Sequence, residues 1–186
     1  MRQGVRCGKI AVVCRDISLY RAAVRYEFRM AEIPLYCDEP TTPEFSAPAT
    51  AVRALLALLR GADMTEQLTV LAKTGLCDLT EPEVCALENY AYTWSPNAAA
   101  WRAEFTKSPR GFGDAELTEE DTLNLTRAEN ARKKLVTAVD TLRGKVRSAN
   151  AEQISRALYF CLKELGAEGQ QAAQVEDIRT ARGIPA

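Results

Sequence analysis

The first forty residues carry the pattern that most restricts the fold of this chain: a strand, a basic helix and a second strand. Apolar and β-branched residues predict the first strand over residues 9–15 and the second over residues 33–38. Two strands alone leave backbone groups unpaired at both edges and do not make a stable sheet. No third strand of similar quality follows, so we expect a short N-terminal β-α-β piece of a larger α/β domain.

The helix between the two strands is predicted over residues 17–31, with Asp16 as its N-cap. One face is apolar and is expected to pack on the strands: Ile17, Tyr20, Val24, Phe28 and Ala31. A different face carries an arginine at every fourth position: Arg21, Arg25 and Arg29. Residues 1–30 hold seven basic and two acidic side chains, a local charge of +5.

The remainder of the chain has helical periodicity, which makes the predicted fold class mainly α. A turn-rich stretch at residues 39–43 divides a partial α/β segment (1–42) from a helical subdomain (43–186). The longer helices are predicted over residues 47–60, 64–73, 81–94, 119–143 and 151–165. Trp101 and Phe105 are expected to anchor a short helix, and the tail at 170–182 reads as a weakly held one.

Several classes of function lack their usual residues in this sequence. Histidine is absent, and neither GxxxxGK(S/T) nor GxGxxG occurs, so we expect no catalytic, cofactor-binding or metal-binding residue. The net charge of −1 gives no global attraction to nucleic acid or membranes. No apolar run approaches the roughly 18–20 residues of a membrane span, and the start has no signal-peptide pattern.

Six cysteines without a CxxC pair favour buried, reduced thiols in a cytoplasmic protein over disulfides or a cluster.

Residues 9–15 (Lys-Ile-Ala-Val-Val-Cys-Arg) and 32–36 (Glu-Ile-Pro-Leu-Tyr) resemble a passage in the second motor domain of UvrD-type superfamily 1 helicases. That passage comes just before an inserted helical subdomain. Further segments narrow the match: Lys73-Thr74-Gly75-Leu76, Leu87-Glu88-Asn89-Tyr90, Trp101, and Leu123-Asn124 with Arg127. Their order is similar to that of the AddB/RexB subunit of bacterial ATP-dependent helicase–nucleases, over about residues 8 to 170.

The resemblance implies an internal fragment of a larger enzyme subunit. Members of that family resect broken DNA ends for recombinational repair together with an AddA-type helicase–nuclease partner subunit. ATP with magnesium and an iron–sulfur cluster are implied for the full-length parent only, because this chain has neither the phosphate loop nor the closely spaced cysteine ligands. The fragment is then expected to be a scaffold and DNA-contact module, with no membrane partner and no catalytic residue of its own.

Six cations are the candidate DNA contacts: Arg15, Arg21, Arg25, Arg29, Lys107 and Arg110. Arginines along one helix face can neutralise successive phosphates, and a solvated or acid-paired face is the other interpretation. Arg15 ends a strand, as the matching family arginine does, and a simple strand-end role is equally compatible. Lys107 and residues 110–113 (Arg-Gly-Phe-Gly) are similar to the Gly-Ile-Gly loop with which UvrD-type subdomains grip duplex DNA, although chance explains so short a match.

Two further alternatives stay open at this stage. The side chains of Trp94 and Trp101 can stack on bases, or they can anchor the core. The whole chain can also be a free-standing helical adaptor that binds protein partners through exposed apolar surface. Turnover chemistry by carboxylates is disfavoured, since no acid pair stands out from the pattern of a surface helix.

Overall fold

The computed structural model describes residues 6–37, 46–113 and 116–181. The chain divides into two compact units, Met1–Thr42 and Pro43–Ala186. The described residues form eight α-helices and two short 3-10 turns. The predicted turn at residues 39–43 lies outside the described residues.

The N-terminal unit has no strand within residues 6–37, so the predicted β-α-β piece is wrong. Ile10 has extended dihedrals (φ −107°, ψ 123°), but residues 10–14 and 33–37 belong to no ladder. β-Branched residues favour an extended backbone, whereas a strand also needs a neighbouring strand to supply hydrogen bonds. The described residues provide no such neighbour, and Val13 and Tyr36 are 91% and 88% exposed.

Helix α1 (Arg21–Met30) begins later than the predicted 17–31. The Asp16 carboxylate does act as a cap, because it accepts a hydrogen bond from the Ser18 amide at 2.9 Å. It begins a separate 3-10 turn, Ile17–Leu19, and not α1 itself. The apolar residues of α1 are at most half-buried, since the described residues of this unit offer them no sheet.

The C-terminal end of α1 is set by a Schellman motif. Glu32 has a left-handed backbone conformation (φ 53°). The Ile33 amide donates to the Phe28 carbonyl at 2.9 Å, and the Glu32 amide donates to the Arg29 carbonyl at 3.1 Å. These two bonds satisfy carbonyls that the end of a helix leaves unpaired. The helix is therefore ended by its own capping bonds, before the chain reaches Pro34.

The C-terminal unit contributes seven of the described helices, with bounds close to those expected from periodicity. They are α2 (Ala47–Leu59), α3 (Met64–Ala72), α4 (Glu81–Trp94), α5 (Ala98–Arg102), α6 (Glu119–Val146), α7 (Ala151–Glu164) and α8 (Ala167–Ala181). The long helix α6 packs mainly against α4 and α7, and α2 packs on α3. Their apolar faces meet in one core of mostly leucine and alanine side chains.

Side-chain caps fix where several of these helices start. The Asn150 side chain accepts from the Gln153 amide, and the Gln153 side chain accepts from the Asn150 amide, both at 2.9 Å. The Glu83 carboxylate accepts from the Thr80 amide at 2.8 Å. Both pairs have the three-residue separation of a capping box, which is why these helix starts are visible in the sequence.

A buried ion pair lies in the middle of α6. Glu129 and Arg132 are 8% and 6% exposed, and Arg132 donates two hydrogen bonds of 2.6 Å to the two Glu129 carboxylate oxygens. Arg132 also donates to the Trp101 carbonyl at 2.8 Å, while Glu129 accepts from the Phe105 amide at 3.0 Å. The pair thus fastens both ends of the segment 101–105 to α6.

Aromatic packing holds the same segment from the other side. Trp101 is fully buried, and its indole N–H donates to the Thr65 hydroxyl at 2.9 Å. Phe105 lies in the loop beyond α5, and not within the short helix that it is predicted to anchor. Its ring stacks on Tyr90 of α4 with 4.0 Å between the centroids. The loop after α5 therefore starts from a fixed point in the core.

We expect Arg132→Met to lower the free energy of unfolding by about 3–5 kcal/mol, because the buried Glu129 carboxylate loses two hydrogen bonds of 2.6 Å and keeps only the exposed Lys133, at 3.5 Å, as a cationic partner. The measurement is urea denaturation followed by circular dichroism. Arg102 supplies the control, since it pairs with Asp140 at 3.1 Å in an exposed position. Arg102→Met is expected to cost at most about 1 kcal/mol. Equal costs for the two variants would contradict the anchoring role of the buried pair.

Candidate nucleic-acid interface

The six predicted DNA contacts are distributed over the two units, and each group is exposed at the surface of its own unit. The N-terminal unit holds Arg15, Arg21, Arg25 and Arg29. The C-terminal unit holds Lys107 and Arg110, both in the loop between α5 and α6.

Helix α1 presents Arg21, Arg25 and Arg29 along one exposed face. A helix rises about 1.5 Å per residue, so successive arginines of this row are about 6 Å apart along the axis. Val24 and Phe28, by contrast, are half-buried. The geometry is a short row of guanidinium groups on an amphipathic helix, as the four-residue spacing predicts.

Lys107 lies over an aromatic ring. Its ammonium nitrogen is 4.4 Å from the centroid of the Trp94 indole, the range of a cation–π contact. The Trp94 indole N–H donates to the Ser108 carbonyl at 2.9 Å, and the Tyr90 hydroxyl accepts from the Lys107 amide at 3.4 Å. The backbone on both sides of this lysine is therefore held against α4, while its side chain remains exposed.

Arg110 is a structural anchor in this conformation. Its guanidinium donates to both carboxylate oxygens of Asp121 at 2.8 and 2.5 Å, and to the Thr118 hydroxyl at 2.9 Å. Asp121 is 7% exposed and also accepts from the Thr118 amide at 2.8 Å, so it closes the N-terminal cap of α6. Hydrogen bonds from Arg110 and Thr118 lower the pKa of Asp121 to about 2. Arg110 thus ties the loop to the start of α6.

The sequence pattern identified this loop but not its most exposed aromatic side chain. Phe112 is 91% exposed, and its ring meets the Trp94 ring edge-on with 4.7 Å between centroids. The preceding Gly111 has φ 91°, and a Cβ there would lie 3.2 Å from the Thr93 methyl group. An aromatic residue between two glycines, at 111 and 113, was the available signal.

The two tryptophans differ in what they can contact. Trp101 is 0% exposed and belongs to the core, whereas Trp94 is half-buried beneath Lys107 and Phe112. Base stacking through Trp101 would require opening the core. The exposed aromatic surface of this loop is therefore carried by Phe112, with Trp94 as its support.

Most of the six cysteines are not buried, although the sequence analysis expects buried thiols. Cys77 and Cys161 lie in the core, and burial raises their pKa values to about 12 and about 11. Cys14 and Cys85 are exposed, and the other two are half-buried. Thiols with such high pKa values are poor nucleophiles, so the two core cysteines are packing residues.

Among the described helices, none combines the length and apolar character that crossing a bilayer requires.

Comparison with known proteins gives one consistent description. A B-type component of the ATP-dependent helicase/deoxyribonuclease from Alkaliphilus metalliredigens is 24% identical over 95% of this chain and 16% of its own length. Proteins of the same description from Clostridium novyi and Clostridium perfringens are 25% and 26% identical, over 89% and 70% of this chain. The chain spans less than one fifth of the length of each relative. No protein-family profile matches it.

We expect Arg110→Ala to raise the pKa of Asp121 from about 2 toward its ordinary value of 3.8, because the strongest donor to the carboxylate is lost. The measurement is a carbon-detected NMR titration of the Asp121 carboxyl group. A native pKa below the unfolded one stabilises the fold above about pH 4, and this contribution fades as the pH falls toward 2. The variant should lose less stability over that interval.

Lys107→Ala is the matched control for this titration. It removes a cation from the same loop but none of the hydrogen bonds to Asp121. The pKa of Asp121 should stay near its original value in this variant. An unchanged pKa in Arg110→Ala would contradict the assignment of Arg110 as the main anchor.

Proposed function

We propose that this chain is a segment of the B-type component of an ATP-dependent helicase–deoxyribonuclease, and that it acts there as a scaffold and DNA-contact module. Three relatives of that description support the proposal, because they align with most of this chain at 24–26% identity. The order of the Lys-Thr-Gly-Leu and Leu-Glu-Asn-Tyr segments supports it as well. In this proposal the segment serves DNA-break repair with a partner helicase–nuclease subunit.

The chemistry of ATP and phosphodiester cleavage is assigned, in this proposal, to other parts of the parent protein. The absence of histidine and of a phosphate-loop motif from the sequence supports that assignment. What the segment contributes is shape and charge. The bundle of the C-terminal unit supplies the scaffold, and the exposed cations supply the contact with DNA.

The observation that carries the DNA-contact role is the exposed row Arg21, Arg25 and Arg29 on α1. Successive arginines are about 6 Å apart along the helix axis, so neighbouring guanidinium groups can each reach one of the successive phosphates of a nucleic-acid strand. Guanidinium groups bind phosphate oxygens in a bidentate manner and keep their charge at every physiological pH. A row of this spacing fits a nucleic-acid backbone without requiring a basic protein.

We expect the triple variant Arg21→Ala, Arg25→Ala, Arg29→Ala to weaken DNA binding and to flatten its salt dependence. Three phosphate contacts contribute a slope of log K against log salt of about −2.7 for duplex and about −2.1 for single strands. The measurement is fluorescence anisotropy of labelled oligonucleotides from low to moderate salt. Alanine is a better helix former than arginine, so α1 should be retained, and circular dichroism verifies this.

The control removes three exposed arginines of the C-terminal unit: Arg60→Ala, Arg147→Ala and Arg156→Ala. It changes the net charge by the same amount but leaves α1 intact. We expect the salt slope of this variant to stay close to that of the original chain. If both triple variants weakened DNA binding equally, the loss of affinity would come from the change in net charge and not from the arginine row of α1. No binding by the original chain at low salt would instead favour a protein-binding adaptor.

A further inference from the structure

The phenyl ring of Phe112 is an apolar group that is exposed to solvent. It is 91% exposed, although the C-terminal unit has a continuous apolar core in which such a ring normally lies. Its only aromatic neighbour among the described residues is Trp94, whose ring it meets edge-on at a centroid distance of 4.7 Å. One face of the phenyl ring is thus left available to a planar ligand.

The loop that carries Phe112 is anchored at several points. The Trp94 indole N–H donates a hydrogen bond of 2.9 Å to the Ser108 carbonyl. The Arg110 guanidinium forms a bidentate salt bridge with the Asp121 carboxylate. Gly111 is buried and packs against Thr93. A Cβ atom at position 111 would lie only 3.2 Å from the Thr93 methyl group. A ring presented by a fixed loop loses little conformational entropy when a ligand stacks on it.

The charges around the loop favour stacking over phosphate binding. Arg110 is already neutralised by Asp121, and Lys107 lies on the Trp94 ring at 4.4 Å. Exposed Glu119 and Glu120 begin α6 beside this pair, and Glu120 acts on the Arg110 guanidinium electrostatically. A phosphate would gain little here, whereas a base offers a π-face whose attraction to an aromatic ring does not depend on net charge. Lys107 can still satisfy one adjacent phosphate.

We propose that Phe112, supported by Trp94 and flanked by Lys107, is a stacking platform for an unpaired base of single-stranded DNA. The inference rests on the proposed function for the identity of the nucleic acid. It adds a site of a different kind from the arginine row of α1, because the ligand group is the base and not the phosphate. An apolar side chain of a protein partner is the competing occupant.

The test compares three substitutions at one position in the full 186-residue chain: Phe112→Ala, Phe112→Leu and Phe112→Trp. Two labelled probes of equal length are used, oligo-dT and an abasic oligonucleotide with the same phosphates. We expect Phe112→Ala and Phe112→Leu to bind oligo-dT about 5- to 150-fold more weakly, the range for one stacked base. Phe112→Trp should bind as well as the original chain, and the abasic probe should bind all four proteins alike.

Tryptophan emission provides an independent readout. Trp94 lies under Phe112, while Trp101 is fully buried and serves as an internal reference. Oligo-dT should quench the Trp94 part of the emission in the original chain, and Phe112→Leu should abolish most of that quenching. The variant Trp94→Phe retains the aromatic support and identifies the emission that belongs to Trp101.

The outcomes separate this proposal from the one on which it rests. Binding of oligo-dT that is insensitive to Phe112→Ala and Phe112→Leu would overturn the platform, while leaving the arginine row intact. Equal losses on the abasic probe would also overturn it, because a loss without bases is not stacking. Full binding by Phe112→Leu would indicate an apolar contact and overturn base recognition. No binding of any probe by the original chain would overturn both proposals together.

Discussion

The buried pair of Glu129 and Arg132 is the interaction on which the geometry of the loop between α5 and α6 depends. Burying two charges is costly unless their hydrogen-bonding groups are satisfied, and here the remaining groups bind the Trp101 carbonyl and the Phe105 amide. The hydrogen bonds that satisfy the two buried charged groups are therefore the same bonds that attach the loop to α6. This is why one turn of α6 determines where the chain after α5 begins its path across α4.

From that point the loop is held by a series of contacts along its length. Phe105 stacks on Tyr90, whose hydroxyl accepts from the Lys107 amide, and the next residue is held by Trp94. Arg110 then closes the path onto the cap of α6 through Asp121. An arginine that the sequence marks as a ligand for DNA is used to hold the loop. The exposed Phe112 ring is the group that this arrangement presents to solvent.

Local patterns predicted the helices of the C-terminal unit well, because helix starts and ends are decided by neighbours in sequence. Asn150 with Gln153, and Thr80 with Glu83, cap their helices as their spacing indicates. The strands failed for the opposite reason, since residues 10–14 carry a strand propensity that only a distant partner can complete. Arg132 was missed because a charged residue is read as solvated, although it lies at an inward position between Ala128 and Leu135 of the apolar stripe. An arginine in such a stripe, three residues after a glutamate, is a recognisable signal for a buried pair.

A chain with a net charge of −1 can contact DNA only through local features, and its two units offer different ones. In the proposed function the arginines of α1 act through counterion release, so we expect their contribution to fall steeply with salt and to depend little on whether bases are paired. An aromatic ring on an anchored loop acts at van der Waals distance, so its contribution survives salt but requires an accessible base face. The acidic start of α6 would weaken the first kind of contact near Phe112 and leaves the second almost unaffected. The distribution of charge therefore supports the two proposals in different units, with backbone attraction proposed for the N-terminal unit and stacking of an unpaired base for the C-terminal one.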